Sequence, residues 1–247
     1  MDNLILALAS FIRRFFRVYA EGDEFDDSKY CLVETLNENN TKTGFDWGEF
    51  HPAYLIQYFH RDAVSWNRNM VSISSVHKPK SFNGLTIPVQ IGVVQSVRCF
   101  MFGYFEAELL LPESCGQWPA FWLTGGKSWP PEIDIIEAYS RDSNYGDGRF
   151  LQSNIHYGDD KHIKASNHFL PKFHAKNYFL KFGMQWERDF VRFYYNGYLV
   201  REVTDRKVLD KLNEPMRIVL NSGVEPGYEL INDSVVFKNV KVFQRVI

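Results

Sequence analysis

The hydrophobic pattern divides the chain into one helical stretch and many short strand-like runs. At the start, Leu4, Ile5, Leu8, Phe11, Ile12, Phe15, Phe16 and Tyr19 recur at the spacing of a single helix face, with Arg13, Arg14 and Arg17 beside them. This predicts an amphipathic helix over residues 1–20, followed by one domain over 21–247. Residues 21–52 are acidic and polar and read as loop with short strands. From about Ala63 the period shortens to two. Residues 71–76 alternate, and 89–97 form a β-branched run. In 102–111, Phe105, Ala107 and Leu109 fall on one side and Glu106 and Glu108 on the other. Residues 118–123 are apolar and end at Gly125-Gly126. Two further runs, 179–186 and 191–195, lead into Asn196-Gly197, the strongest short hairpin signal, and a returning strand over 198–203. Residues 216–220 and 235–243 complete the set. The only later helical hint lies at 206–212. Short strands with regular turn signals predict an all-β sandwich, and no linker or repeat divides it.

Composition adjusts this picture in three places. The 247 residues are 45% hydrophobic and 23% charged, as in a globular domain, but 16% are aromatic. That exceeds what a core requires and suits a ligand groove, although the 21 Phe read mainly as core. The formal charge of −2 gives no electrostatic reason to expect nucleic acid or an anionic membrane. Cys31, Cys99 and Cys115 have no metal-ligand spacing and an odd count, so they read as structural thiols rather than a disulfide framework. The N-terminal apolar stretch is too short to span a bilayer. It opens on Met1-Asp2-Asn3 and places its arginines after the apolar residues, a poor fit to a signal peptide, although Val18-Tyr19-Ala20 resembles a cleavage site. It reads first as a helix packed on its own domain or on a protein partner. A membrane-surface or assembly helix and an uncleaved signal are the alternatives.

The candidate chemistry sits in Glu132-Ile133-Asp134-Ile135-Ile136-Glu137. An Ile-rich run is a buried strand, and unpaired carboxylates are costly to bury, so the acids should share a face that opens on a cleft. With 30 acids in the chain, three at these offsets would arise by chance about 0.4 times. On a regular strand Glu132 and Asp134 face one side and Glu137 the other. One inserted residue, a β-bulge, would return Glu137 to the first face. The two glutamate Cα atoms would then lie about 13 Å apart. Their side chains would have to lean inward to reach the ~5.5 Å carboxyl separation of a retaining glycosidase.

The flanks carry a resemblance. Gly116-Gln117-Trp118-Pro119-Ala120-Phe121-Trp122-Leu123, then Trp129-Pro130-Pro131 and the acidic strand, resemble the WPAFWL and E-x-D-x-x-E signature of glycoside hydrolase family 16. Residues 92–96 and 102–107 resemble the family's "SG-I-S/T" and "YGRFEAR" strands. Asn154-Ile155-His156-Tyr157-Gly158 resembles "T-I-H-Y-G" of laminarinase-like members. Residues 182–197 resemble "Y-G-I-E-W…F-Y-V-D-G", and 216–221 resemble "M-y-l-I-L-N". The similarity runs from about residue 85 to 245.

The resemblance implies a β-jelly-roll sandwich of two antiparallel sheets with a concave cleft. It also implies endo-acting, retaining hydrolysis of a β-linked polysaccharide of the β-1,3-glucan or galactan type. By position, Glu132 is the nucleophile, Glu137 the general acid/base, and Asp134 the residue that orients and tunes Glu132. The bulged motif belongs to the laminarinase, agarase and carrageenase branch. Candidate substrate-binding residues are Trp118, Trp122, Trp129, His156, Tyr157 and Trp186. Of these, Trp118 leans to a sugar platform and Trp122 to core packing. Trp129, Trp186 and His156 fit either a cleft or a structural role. No cofactor is expected. Lys238 stands where the family's late strand usually carries an Asp that helps bind a structural calcium, so that metal is doubtful. The "GG-W" element of laminarinase-like members is missing after Asn221. The alternative function is a non-catalytic glycan-binding component of a larger assembly, docked through residues 1–20. A polysaccharidase without a clear leader would reach its polymer by lysis or as part of a particle.

Overall fold

The computed structural model describes residues 25, 27–45, 48, 56–112, 114, 116–125, 129–140, 149–158, 163–171, 178–225 and 230–246. The helix expected over 1–20 lies outside them. In chain order the strands are β1 (Tyr30–Thr35), β2 (Thr41–Thr43), β3 (Gln57–Phe59), β4 (Val64–Asn67), β5 (Met70–Phe82), β6 (Leu85–Ile91), β7 (Val93–Phe100), β8 (Gly103–Leu110), β9 (Gln117–Gly125), β10 (Glu132–Ser140), β11 (Arg149–Tyr157), β12 (Ile163–Pro171), β13 (Leu180–Trp186), β14 (Val191–Tyr195), β15 (Tyr198–Val203), β16 (Met216–Val224) and β17 (Asp233–Arg245). They form a ten-stranded sheet ordered β15-β14-β13-β8-β17-β5-β6-β3, with β1 on β17 and β4 on β5. The second sheet has seven strands, β12-β11-β10-β9-β16-β7-β2. Pairing is antiparallel throughout the second sheet. The first sheet departs from the expected antiparallel pattern at one edge, where β3 runs parallel to β6.

Strict alternation builds the sandwich. On β8, Phe105, Ala107 and Leu109 are buried, whereas Glu106 and Glu108 pair with Lys181 and Lys238. On β13, Phe182, Met184 and Trp186 face inward. They meet Phe121 and Leu123 of β9, the isoleucines of β10 and Leu220 of β16 in one core between the sheets. Each such side chain contributes about 1.5–3 kcal/mol by leaving water. A second cluster of Phe59, Ile91, Val93, Val219 and Val224 has Phe45 and Trp122 packed against it, and Phe45, Phe59, Ile91 and Trp122 line the cleft described below.

The run 89–97 is not one strand. Gly92 divides it, and its halves belong to different sheets. Both halves are buried as far as Ser96, so the hydrophobic pattern carries no sign of the break. A second Asn-Gly hairpin, Asn83-Gly84, joins β5 to β6 with both residues at positive φ. The helical hint at 206–212 is a single turn, Arg206–Leu209, capped by the Asp205 side chain accepting from Lys207 N–H. Cys31 is exposed and Cys99 half-buried, both free thiols; Cys31 therefore differs from a typical core thiol. No helix among the described residues is long and apolar enough to cross a membrane.

Candidate active site

The acids lie on β10, between β9 and β11 in the seven-stranded sheet. Their placement depends on a bulge. Asp134 pairs with Asn154 and Glu137 with Gln152, so three steps along β10 match two along β11. Against β9 the register slips between Asp134 and Ile136. The extra residue leaves Ile135 and Ile136 both buried in the core and returns Glu137 to the face of Glu132 and Asp134. All three acids line a cleft of about 160 Å³ with Trp118, Trp122 and Asn221.

Each glutamate is met by an indole. Trp118 Nε1 donates to Glu137 Oε1 at 3.1 Å, and Trp129 Nε1 donates to Glu132 Oε2 at 3.0 Å. Glu137 accepts three more bonds: from Tyr139 Oη at 3.0 Å, from Gln152 Nε2 at 2.7 Å and from Asn154 Nδ2. A carboxylate has about four lone-pair sites, and four donors reach this one. His156 Nε2 lies 3.1 Å from Asp134 Oδ2 and 3.4 Å from Glu132 Oε1. Burial and the neighbouring Asp134 push Glu132 up to about 8, against the pull of His156 and Trp129. Burial and the Glu137 charge raise Asp134 well above the usual range, with Lys164 and Arg201 opposing. Burial lowers His156. Burial thus opposes the ionisation that the resemblance requires of Glu132. Glu132, Asp134 and His156 bring potential metal-ligand atoms within 4.8 Å of one another.

The six candidate substrate contacts separate by face. Trp118 is half-buried and stacks on Tyr139 with centroids 5.3 Å apart. Trp122 serves both: it packs on the second core cluster and lines the cleft, and its Nε1 donates to Asn221 Oδ1 at 2.7 Å. Trp129 is 55% exposed beside His156. Tyr157 and Trp186 do not join them. Tyr157 alternates with His156 along β11 and packs against the main core. Trp186 is 1% exposed, because the alternation of β13 turns it inward, where its ring meets Phe102 edge-on. Sequence reading missed Tyr139, Gln152, Asn154 and Asn221. A signal for two of them existed: with His156 on the cleft face, period two puts Asn154 and Gln152 on that face as well.

Known proteins share parts of this arrangement. The endo-1,3-1,4-beta-glycanase EglC of Rhizobium meliloti (strain 1021) is 25% identical over 124 residues, which is 50% of this chain and 25% of that protein. The galactan endo-beta-1,3-galactanase of Flammulina velutipes is 57% identical over 32 residues, 13% of each chain. The chain thus spans a quarter or less of the length of these relatives. The laminarinase catalytic domain from Thermotoga maritima MSB8 has the same fold, with a TM-score of 0.71 at 18% identity over 89% of this chain and 100% of that one. The model of glycosyl hydrolases family 16 matches residues 60–229, well over half of the sequence, and the chain belongs to that family.

Proposed function

We propose that the chain is a retaining endo-β-glycosidase acting on a β-linked polysaccharide of the β-glucan or galactan type. The observation that carries this reading is the bulge, which gathers Glu132, Asp134 and Glu137 on one cleft face. The names of the relatives, an endo-1,3-1,4-beta-glycanase and a galactan endo-beta-1,3-galactanase, set the two polymer classes.

Once the Glu132 proton has passed to Glu137, the Glu132 carboxylate attacks the anomeric carbon while Glu137 gives that proton to the departing glycosidic oxygen. Water then hydrolyses the glycosyl–Glu132 ester, and Glu137 takes the proton that water loses. For the first step Glu137 must exchange one of its four donors for the glycosidic oxygen. Trp118 is the half-buried donor at the cleft, beside the place where a stacked sugar would lie. Asp134 and His156 share the charge that Glu132 gains when its proton leaves. Two carboxylates and water complete the reaction without a cofactor.

The test measures reducing ends released from β-1,3-glucan, mixed-linkage glucan, agar, carrageenan and mucin-type glycans. Wild type should cleave at least one, with Glu132→Gln at background and Glu137→Gln down by about 10²–10⁴-fold. Azide added to alanine variants assigns the roles on an activated aryl glycoside. Glu132→Ala should give the α-glycosyl azide and Glu137→Ala the β-glycosyl azide. Equal release by wild type and Glu132→Gln would sink the proposal. Binding across the panel without turnover would leave a glycan-binding protein.

A further inference from the structure

Arg201 is a charged residue in an apolar interior, only 8% exposed. It stands on β15, in a run that reads from sequence as an ordinary returning strand. A second bulge puts it inside. Tyr194 pairs with Leu199 but Phe193 pairs with Arg201, so Val200 is the extra residue. Without that insertion, alternation would send Arg201 outward with Leu199. Instead its guanidinium lies over the Phe193 ring at 5.1 Å and reaches across the sandwich to the other sheet. There Nη1 donates to Ser153 O at 2.9 Å and to Ser153 Oγ at 3.0 Å. Ser153 sits on β11 between Gln152 and Asn154, the two amides that bind Glu137 Oε2.

We propose that Arg201 is a positioning residue of the cleft, which fixes β11 through Ser153 and places a positive charge behind Asp134. This rests on the glycosidase reading above. A buried arginine is a costly way to stabilise a fold, and apolar replacements of buried ions often leave stability unchanged or higher. Its position beneath the acids supplies the reason to keep it. Asp134 of β10 and Tyr195 of β14 support the guanidinium charge, and Tyr195 in turn feels the charge of Glu137. Lys164 of β12 acts on the same Asp134 from the other side. Burial lowers Arg201 to about 10, so it remains a cation at neutral pH.

The test compares wild type with Arg201→Met, Arg201→Lys and Ser153→Ala. Three readouts are taken: thermal midpoint, carboxyl NMR titration of Asp-labelled protein, and the pH profile of hydrolysis on the panel substrate that wild type cleaves. Arg201→Met should keep the thermal midpoint within about 4 °C or raise it. It should move the Asp134 titration and the acidic limb of kcat/KM upward by about half to one pH unit, with kcat down by roughly tenfold or more. Arg201→Lys should restore the Asp134 titration but only part of kcat, because one ammonium replaces the fork on Ser153. Ser153→Ala should lower kcat and leave the titration in place. The proposal is overturned if Arg201→Met lowers the thermal midpoint by more than about 4 °C while the titration and kcat match wild type. If Arg201→Met does not fold, an Asp134 titration in Arg201→Lys that has moved up overturns it as well. A wild type that cleaves nothing removes the glycosidase reading alone, since the NMR comparison still tests the charge behind Asp134.

Discussion

Glu132 ties the chemistry of the cleft to the stability of the fold. Its ordinary value is 4.5 and its buried value about 8. Between those limits the folded chain keeps a proton that the unfolded chain releases. The stabilisation is fully present below about 4.5 and is lost as pH rises through about 8. Asp134 shifts in the same direction, so the cluster as a whole favours acid. Glu132→Gln is neutral at every pH and removes the Glu132 part of this slope. The wild-type thermal midpoint should therefore fall from pH 5 to 8 more steeply than that of Glu132→Gln, with the variant several degrees higher at pH 8. Parallel curves in scanning calorimetry would contradict the shift. At this scale the three acids are legible in sequence, because carboxylates inside an isoleucine run conflict with burial. Arg201 is not legible, since an Arg in a strand ordinarily reads as solvent-facing. Trp186 reads equally well as groove or core until its neighbours on β13 fix the face.

Several strand pairs carry register shifts, and two of those shifts serve the same cleft. On β10 the inserted residue returns Glu137 to the acids; on β15 it turns Arg201 beneath them. The first could be inferred from the five-residue offset between Glu132 and Glu137. The second had no such marker, because nothing in 198–203 demands that two positions share a face. β12 also escaped notice: 163–171 alternates without a strong apolar side. Deleting Ile135 tests the role of the first bulge. The shortened run Glu-Ile-Asp-Ile-Glu alternates, so a regular strand still carries all three acids on the cleft face. The deletion variant should therefore keep measurable hydrolysis, and it should melt roughly 4–20 °C below wild type because the core loses the buried Ile135 side chain. A variant that holds its wild-type melting temperature but has no hydrolysis would show that the bulge itself, and not the shared face alone, sets the carboxyl geometry.

The two sheets are sewn together at Gly92. β6 closes in the ten-stranded sheet at Ile91, and β7 opens in the seven-stranded sheet at Val93. The single residue between them has its N–H on Ser74 O at 3.1 Å and its carbonyl facing Ser222 N at 3.4 Å, so it bonds to both layers. A Cβ there would lie 2.6 Å from Ala63 O, 2.7 Å from Ile73 Cγ2 and 2.9 Å from Val64 Cγ2. One of those neighbours is backbone and cannot rotate away, so Gly92→Ala must spread the junction. Overpacking of this kind costs about 1–3 kcal/mol, which lowers the melting temperature of a domain this size by roughly 3–10 °C. The effect should reach the cleft. Ser222 lies between Asn221 and Gly223, both cleft residues, and Asn221 holds the Trp122 indole. Folded Gly92→Ala should consequently show a raised KM for the polysaccharide with kcat closer to wild type, because β9 and β16 separate the acids on β10 from the junction. A melting temperature equal to wild type would mean that the two layers meet with slack. The cleft wall would then have to owe its position to the Ser75–Ser222 hydroxyl bond at 2.8 Å rather than to the close approach at Gly92.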